Sequence, residues 1–355
     1  MIFVAVIRRA SCGVIHSRLK PRVRKGRLVP VRSVPEIASR QRGLFTRQQA
    51  FAAGWSQSAL THALHGGELR QVRRGIYVPI AAPSGIAWQD ARREHVIQAV
   101  AALISHPKTW ASHTAASVLL DLPVLDVPRQ PCLTVGPGHT GTIDGVHLHR
   151  SRLWRGDLGR LGQLPLTSPA RTVTDVARER GVEAGLVVAD AVLRRNLASA
   201  QALEDSACRC RGWPGARHAR EVAHHADPRA ESALESRSRW RLLNTDLPEV
   251  WPQTEIWIDG RFVGRVDFYW DELGVIGEAD GWDKYEIDRS RFRYEKRQQE
   301  SYERAGAAVV RWETADLDRF DDVVRRIREY AAVVARRPRS ARRWIARRGQ
   351  LGRVS

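Results

Sequence analysis

Three acids in the C-terminal third, Asp267, Glu278 and Asp280, have the types and spacing to hold a cation. They stand in the stretches FVGRVDFYW and GVIGEADG, which are joined by residues 271–274, a short turn-forming connection that predicts a hairpin. With Asp271 facing Gly274, opposed residue numbers add to 545, which sets Asp267 across from Glu278 and Arg265 across from Asp280. Side chains alternate along a strand, so the three acids share one face. Like charges opposite one another destabilise a sheet, and such a cluster calls for a cation or water. Mg²⁺ or Mn²⁺ is the expected ion, held by Asp267, Glu278 and Asp280, because carboxylate oxygens suit these metals and leave room for water and a phosphate oxygen. An ion so held generates hydroxide and neutralises charge developing on a phosphoryl group. The competing reading is an exposed hairpin face softened by Arg265 and Lys284.

A second set of residues points to nucleic acid. Between 34 and 78 the sequence reads as three short helices and a hairpin. Thr46 can cap RQQAFAAG and Ser56 can cap QSALTHALHGG, with a short turn between them. The segment LRQVRRGIYV then alternates about Arg73, Arg74 and Gly75, a basic β-hairpin where a winged helix-turn-helix carries its wing. Gln57, Ser58, Thr61 and His62 on the third helix are polar enough to touch base edges, and Arg70, Arg73 and Arg74 suit phosphates. Winged helices also serve protein contacts, which is the alternative use.

The elements that must position the acids follow from the pattern after Pro228: a helix (PRAESALESRSRWRLL), three strands (WPQTEIWI, RFVGRVDFYW, GVIGEADG), a long helix ending near Gly306, a strand (AAVVRW) and a last helix from Asp316. This α-β-β-β-α-β order predicts a compact α/β domain whose third and fourth strands run parallel through a helical crossover. Between 81 and 226 a mixed α+β region is expected, with helices at ARREHVIQAVAALI and HTAASVLLDL, strands at CLTV and GVHLH, and a helix TSPARTVTDVA capped by Ser168 with Pro169 in its first position. The boundaries expected are 1–30 (a basic, disordered extension), 31–80, 81–226, 227–335 and 336–355 (a basic tail).

Length and charge agree. The 355 residues, 43% hydrophobic and 27% charged, suffice for two or three domains. Of the net charge of +19, eight basic residues without an acid lie in 1–30 and eight more in 336–353, which leaves +3 for 31–335. The two ends could therefore hold phosphates without reading sequence. Four Cys, at 12, 132, 208 and 210, form no disulfide framework, and no segment reads as a membrane span, so a cytoplasmic protein without membrane attachment or small-molecule cofactor is expected. Cys208, Cys210, His218, His224 and His225 lack the usual zinc spacing.

Over residues 228–320 the chain resembles the PD-(D/E)xK nuclease superfamily, and more closely its very-short-patch-repair-like endonuclease branch, through ESALESRSR, the Gln253 strand, GRVDF, GEADGWDKY, EKRQQE and AAVVRWE. The resemblance implies a restriction-endonuclease-like fold and makes Glu235 the helix acid, with Glu231 as its alternative, Asp267 the strand acid, and Glu278 and Asp280 the E-x-D pair. It departs from the superfamily at Asp280, where a Lys is usual, and Lys284 is the cation that could serve instead at water or phosphate. Glu235 has an ordinary reading too, as a helix-surface ion pair with Arg239. The N-terminal half resembles the AbiEi-type antitoxins of type IV toxin–antitoxin systems, through GLFTRQQAFAAGWSQSALTHALHGGELRQVRRGIYV, SHTAASVLLDLPV and LTSPARTVTDVA. That resemblance implies DNA and a cognate toxin as partners. The reading is a nucleic-acid-binding protein with a metal-dependent endonuclease domain; its rival is a non-enzymatic regulator with a degenerate nuclease fold.

Overall fold

The structure, a computed structural model, describes residues 23–24, 27–28, 34–137, 140–281, 289–336 and 343–348, with 23–24, 27–28 and 289–296 described by backbone alone. Lys284 and most of both basic ends lie outside the described residues. The fold is mixed α/β, with four sheets among the described residues, and divides into two compact units, residues 1–179 with 202–216, and residues 180–201 with 217–355.

Unit 1 opens with a small antiparallel pair, β1 (Val23–Arg24) and β2 (Arg27–Leu28). The winged helix follows: α1 (Ile37–Arg40), β3 (Phe45–Thr46), α2 (Arg47–Ala52), α3 (Gln57–His65), β4 (Leu69–Arg73) and β5 (Ile76–Pro79). The caps fall where the sequence puts them. Thr46 accepts from the Gln49 N–H while the Gln49 side chain accepts from the Thr46 N–H, and Ser56 accepts from the Ala59 N–H. These bonds satisfy donors that the first helical turn cannot satisfy itself. Phe45, Trp55, Leu60, Ala63 and Tyr77 form the small core, so the polar face of α3 is left outside.

The rest of unit 1 comprises α4 (Ala87–Ser105), β6 (Thr109–Ala111), α5 (His113–Leu119), β7 (Cys132–Val135), β8 (Gly141–Ile143), β9 (Val146–Arg150), β10 (Leu158–Leu161) and β11 (Leu164–Thr167), the strands lying in the order β10-β11-β6-β7-β9-β8. Helix α6 (Pro169–Arg194) breaks at Gly181, whose φ of 86° is favourable for glycine, and the two units divide at this break. The first half of α6 carries Arg171, only 1% exposed, bonded to the fully buried Asp157 and Asp175. Helices α7 (Ala200–Arg209) and α8 (Ala216–His225) complete the segment, so the region expected to end at 226 is shared between the units. The physical reason lies in Asp190, buried in the second half of α6, which pairs with Arg239 and accepts from the Asp227 N–H.

In unit 2, α9 (Ala233–Leu243) precedes β12 (Trp251–Ile258), β13 (Arg261–Trp270) and β14 (Val275–Asp280); α10 (Arg289–Arg304), β15 (Ala308–Glu313) and α11 (Phe320–Ala335) follow. This reproduces the expected element order, and β14 and β15 pair in parallel across α10. The hairpin register is the expected one: Phe268 pairs with Gly277, Tyr269 with Ile276 and Trp270 with Val275. One sheet face buries Phe268, Trp270, Val275 and Trp312 with Leu317 and Ile327; the other buries Tyr269 and Ile276 with Tyr302. Gly277 is required between the two tryptophans, because a Cβ there would lie 2.7 Å from Trp312 and 3.0 Å from Trp270.

The basic C-terminal tail needs correction. Residues 344–347 form a strand, β16 (Trp344–Arg347), which pairs antiparallel with β12 and gives the order β15-β14-β13-β12-β16. Trp344 is buried and donates from Nε1 to the Tyr269 hydroxyl at 3.1 Å. Arginine-rich composition concealed it, since alternate side chains of an edge strand reach solvent and tolerate charge. No helix among the described residues is long and apolar enough to cross a membrane.

Candidate functional site

The winged-helix face is built by α3. Leu60 and Ala63 anchor one side in the core, and Gln57, Ser58 and His62 are exposed on the other. Thr61 is half-buried and accepts from Gln57 Nε2 at 3.3 Å. The three wing arginines differ in their surroundings. Arg70 forms an ion pair with Glu94 of α4. Arg73 donates from Nη1 to the Asp144 carbonyl at 2.7 Å, and burial lowers its pKa from the ordinary value. Arg74 is exposed and makes no hydrogen bond or ion pair among the described residues. Sequence reasoning missed Arg47, an exposed side chain at the start of α2 whose N–H bonds the carbonyl of Gly75 at the wing tip. It was legible only as the residue after a cap.

The acids of unit 2 gather at a cavity of about 330 Å³, whose lining includes Glu235, Asp267, Glu278, Gln298 and Arg311. Asp267 shares strand parity with Tyr269, and Glu278 with Ile276, so both fall on the face that carries α10. Where the hairpin register ends, Asp267 Oδ2 accepts from the Ala279 N–H at 2.8 Å. Gln253 Nε2 reaches Glu235 at 2.8 Å and Asp267 at 3.3 Å, linking helix and strand. Glu235 is buried and also accepts from the Glu231 N–H, while Arg239 pairs with Asp190, so the surface ion pair of Glu235 with Arg239 is replaced by an inward role. Burial pushes the Glu235 carboxyl up to about 7, and the nearby Asp267 charge adds to the rise.

Two further partners appear at this site. Asp280 receives both Arg311 Nε at 2.7 Å and Arg311 Nη2 at 2.9 Å, a bidentate ion pair. Arg265 forms an ion pair with Glu231. Arg311 comes from β15, a parallel neighbour reached through a helix, and a hairpin register alone cannot reveal it. The donor set still fits a hard divalent cation in one respect. Asp267 and Glu278 offer carboxylate oxygen to the same cavity, and the Asp267 charge, second to burial, contributes to the rise at Glu235, which a cation would relieve.

Comparison with known proteins bears on one segment above all. Residues 32–80 match a family model described as "Transcriptional regulator, AbiEi antitoxin". Two uncharacterized Mycobacterium tuberculosis proteins from different strains, MT2308 and Rv2248, are each 35% identical over 114 residues, or 32% of this chain. The match covers 42% of the length of these curated relatives. The solved RV2827C protein of M. tuberculosis aligns with a TM-score of 0.33 at 16% identity, covering 62% of this chain and 85% of that one.

Proposed function

We propose that the chain is a DNA-binding transcriptional regulator of the AbiEi antitoxin kind, reading duplex DNA with α3 and the β4–β5 wing, with a cognate toxin as its protein partner. The observation that carries this is the exposed polar face of α3 beside Arg74 and Arg47, in the segment that matches the regulator model. Gln57, Ser58 and His62 supply groups for base edges, and the two arginines supply charge for phosphates. Arg70 and Arg73 hold the wing to the rest of unit 1 instead. The test is anisotropy titration of the full chain with the duplex upstream of its own gene. Gln57→Ala should cut the preference for that duplex over a scrambled one, and Arg74→Ala should weaken both and reduce the salt slope by about one. Equal binding of both duplexes by the wild type would leave α3 with a protein-contact role.

A second reading concerns unit 2 and is favoured by the convergence of Glu235, Asp267 and Glu278 on one cavity. It is phosphodiester hydrolysis. Asp267 and Glu278 would hold Mg²⁺ or Mn²⁺, which supplies hydroxide and charge neutralisation when bound. Glu235, with its carboxyl near 7, is suited to accept or return a proton at neutral pH. Gln253 fixes Glu235 against Asp267, and Arg311 keeps Asp280 neutralised at the rim. Cleavage of single-stranded, duplex or mismatched DNA should require the ion and vanish in Asp267→Asn and Glu278→Gln. Absence of cleavage with either ion in the wild type leaves the regulator alone.

A further inference from the structure

Unit 1 contains a larger cavity, of about 880 Å³, that the proposed DNA contacts do not use. Its wall brings together His113 at the start of α5, His149 on β9 and Glu179 on α6. One ligand atom from each lies within 4.8 Å of the other two, the single such group among the described residues. We propose that His113, His149 and Glu179 form a zinc site with one coordination position open to this cavity.

The chemistry of the donors supports zinc over a hard cation, because two imidazoles and one carboxylate are a common zinc set, and three protein ligands leave the fourth position for water. His149 Nε2 is buried without a hydrogen-bond partner and faces Glu179 Oε1 at 3.7 Å, too far for a hydrogen bond. Ligands about 2.0–2.2 Å from one ion lie roughly that far apart. His113 has its Nδ1 against the Ser112 hydroxyl at 2.9 Å, so Nε2 is the ring nitrogen left to bind an ion. Its ring stacks on His149 with centroids 3.9 Å apart, and His149 stacks in turn on His147 at 4.3 Å. His113 holds this place at a φ of 53°, unusual for a residue with a side chain. Burial lowers the pKa of both rings, with the Arg171 and Arg178 charges adding at His113 and the neighbouring histidines adding at His149, which falls to about 3. Behind them Asp175 is wholly buried and lines the same cavity, with Oδ1 accepting from Arg171 and Arg178 and Oδ2 without a hydrogen-bond partner.

The test is calorimetric titration of metal-stripped, full-length protein with Zn²⁺, paralleled by the visible absorption of Co²⁺ in its place. The wild type should take one equivalent, with the strong Co²⁺ bands of a four-coordinate site. His149→Gln and Glu179→Gln should each weaken Zn²⁺ binding more than tenfold, while Thr46→Ala, at the α2 cap, leaves it unchanged. Glu179 lies at the surface, so Glu179→Gln retains the fold even if a histidine variant does not. Failure of the wild type to bind Zn²⁺, or undiminished binding in a folded Glu179→Gln, overturns the site. The second outcome would place the metal elsewhere, for example on Cys208 or the histidines of α8.

Discussion

Replacing Glu235 by Gln tests whether the unit 2 cavity is strained by charge. Its carboxyl rises from an ordinary value of 4.5 to about 7, first through burial and then through Asp267. That difference corresponds to roughly 3 kcal/mol of folding free energy. The direction follows from which state holds the proton. Below pH 4.5 the carboxyl is protonated in both states and costs nothing; between 4.5 and 7 the unfolded chain ionises first, so stability falls as pH rises; above 7 the penalty is complete. Gln keeps an acceptor for the Glu231 N–H and the Gln253 amide but has no proton to lose. The stability of Glu235→Gln minus that of wild type should therefore increase by roughly 3 kcal/mol from about pH 4 to about pH 8. Two units need not unfold together, so the measurement is hydrogen exchange of the β13 and β14 amides, which follows unit 2 by itself. Asp267→Asn should shrink the pH dependence by removing the second cause. A variant-minus-wild-type difference that stays constant across this pH range would refute a raised carboxyl at Glu235.

Other substitutions check the packing around these sites. Trp344→Ala should destabilise unit 2 by about 3–5 kcal/mol in denaturant unfolding, because it empties a buried indole position and removes the hydrogen bond that the Tyr269 hydroxyl accepts. Gly277→Ala should lower the melting temperature while Gly75→Ala, at the open wing tip, acts through backbone strain alone; calorimetry separates an effect in unit 2 from one in unit 1. Arg171→Met should cost about 3–5 kcal/mol, since it leaves Asp157 and Asp175 buried without their shared partner, and circular dichroism melts will register it. Thr46→Ala should cost about 0.5–2 kcal/mol by removing the α2 cap.

The parts legible in the sequence were those set by local rules. Thr46 and Ser56 announced their helices, the alternation in 261–270 gave β13, and the turn at 271–274 gave the pairing of Phe268 with Gly277. Partners brought by distant segments were hidden. Glu94 and Asp144 engage Arg70 and Arg73, and Arg311 engages Asp280, across gaps that no periodicity spans. The same holds for His113, His149 and Glu179, which were visible only as SHTAAS, GVHLH and an ordinary helical glutamate. Trp344 was the one apolar anchor in an arginine-rich run, and charge obscured its strand.

Closure of β12 by β16 also sets an order of assembly. β12 is made long before β16 leaves the ribosome, and until then its outer row of N–H and C=O groups has no neighbour from β16. Nascent chains must therefore carry a sheet with one open margin through the synthesis of α10, β15 and α11. Chains halted after Ala335 would keep that margin, a template on which another copy's strand can add. Pairing of β16 with β12 is thus the step that covers this margin.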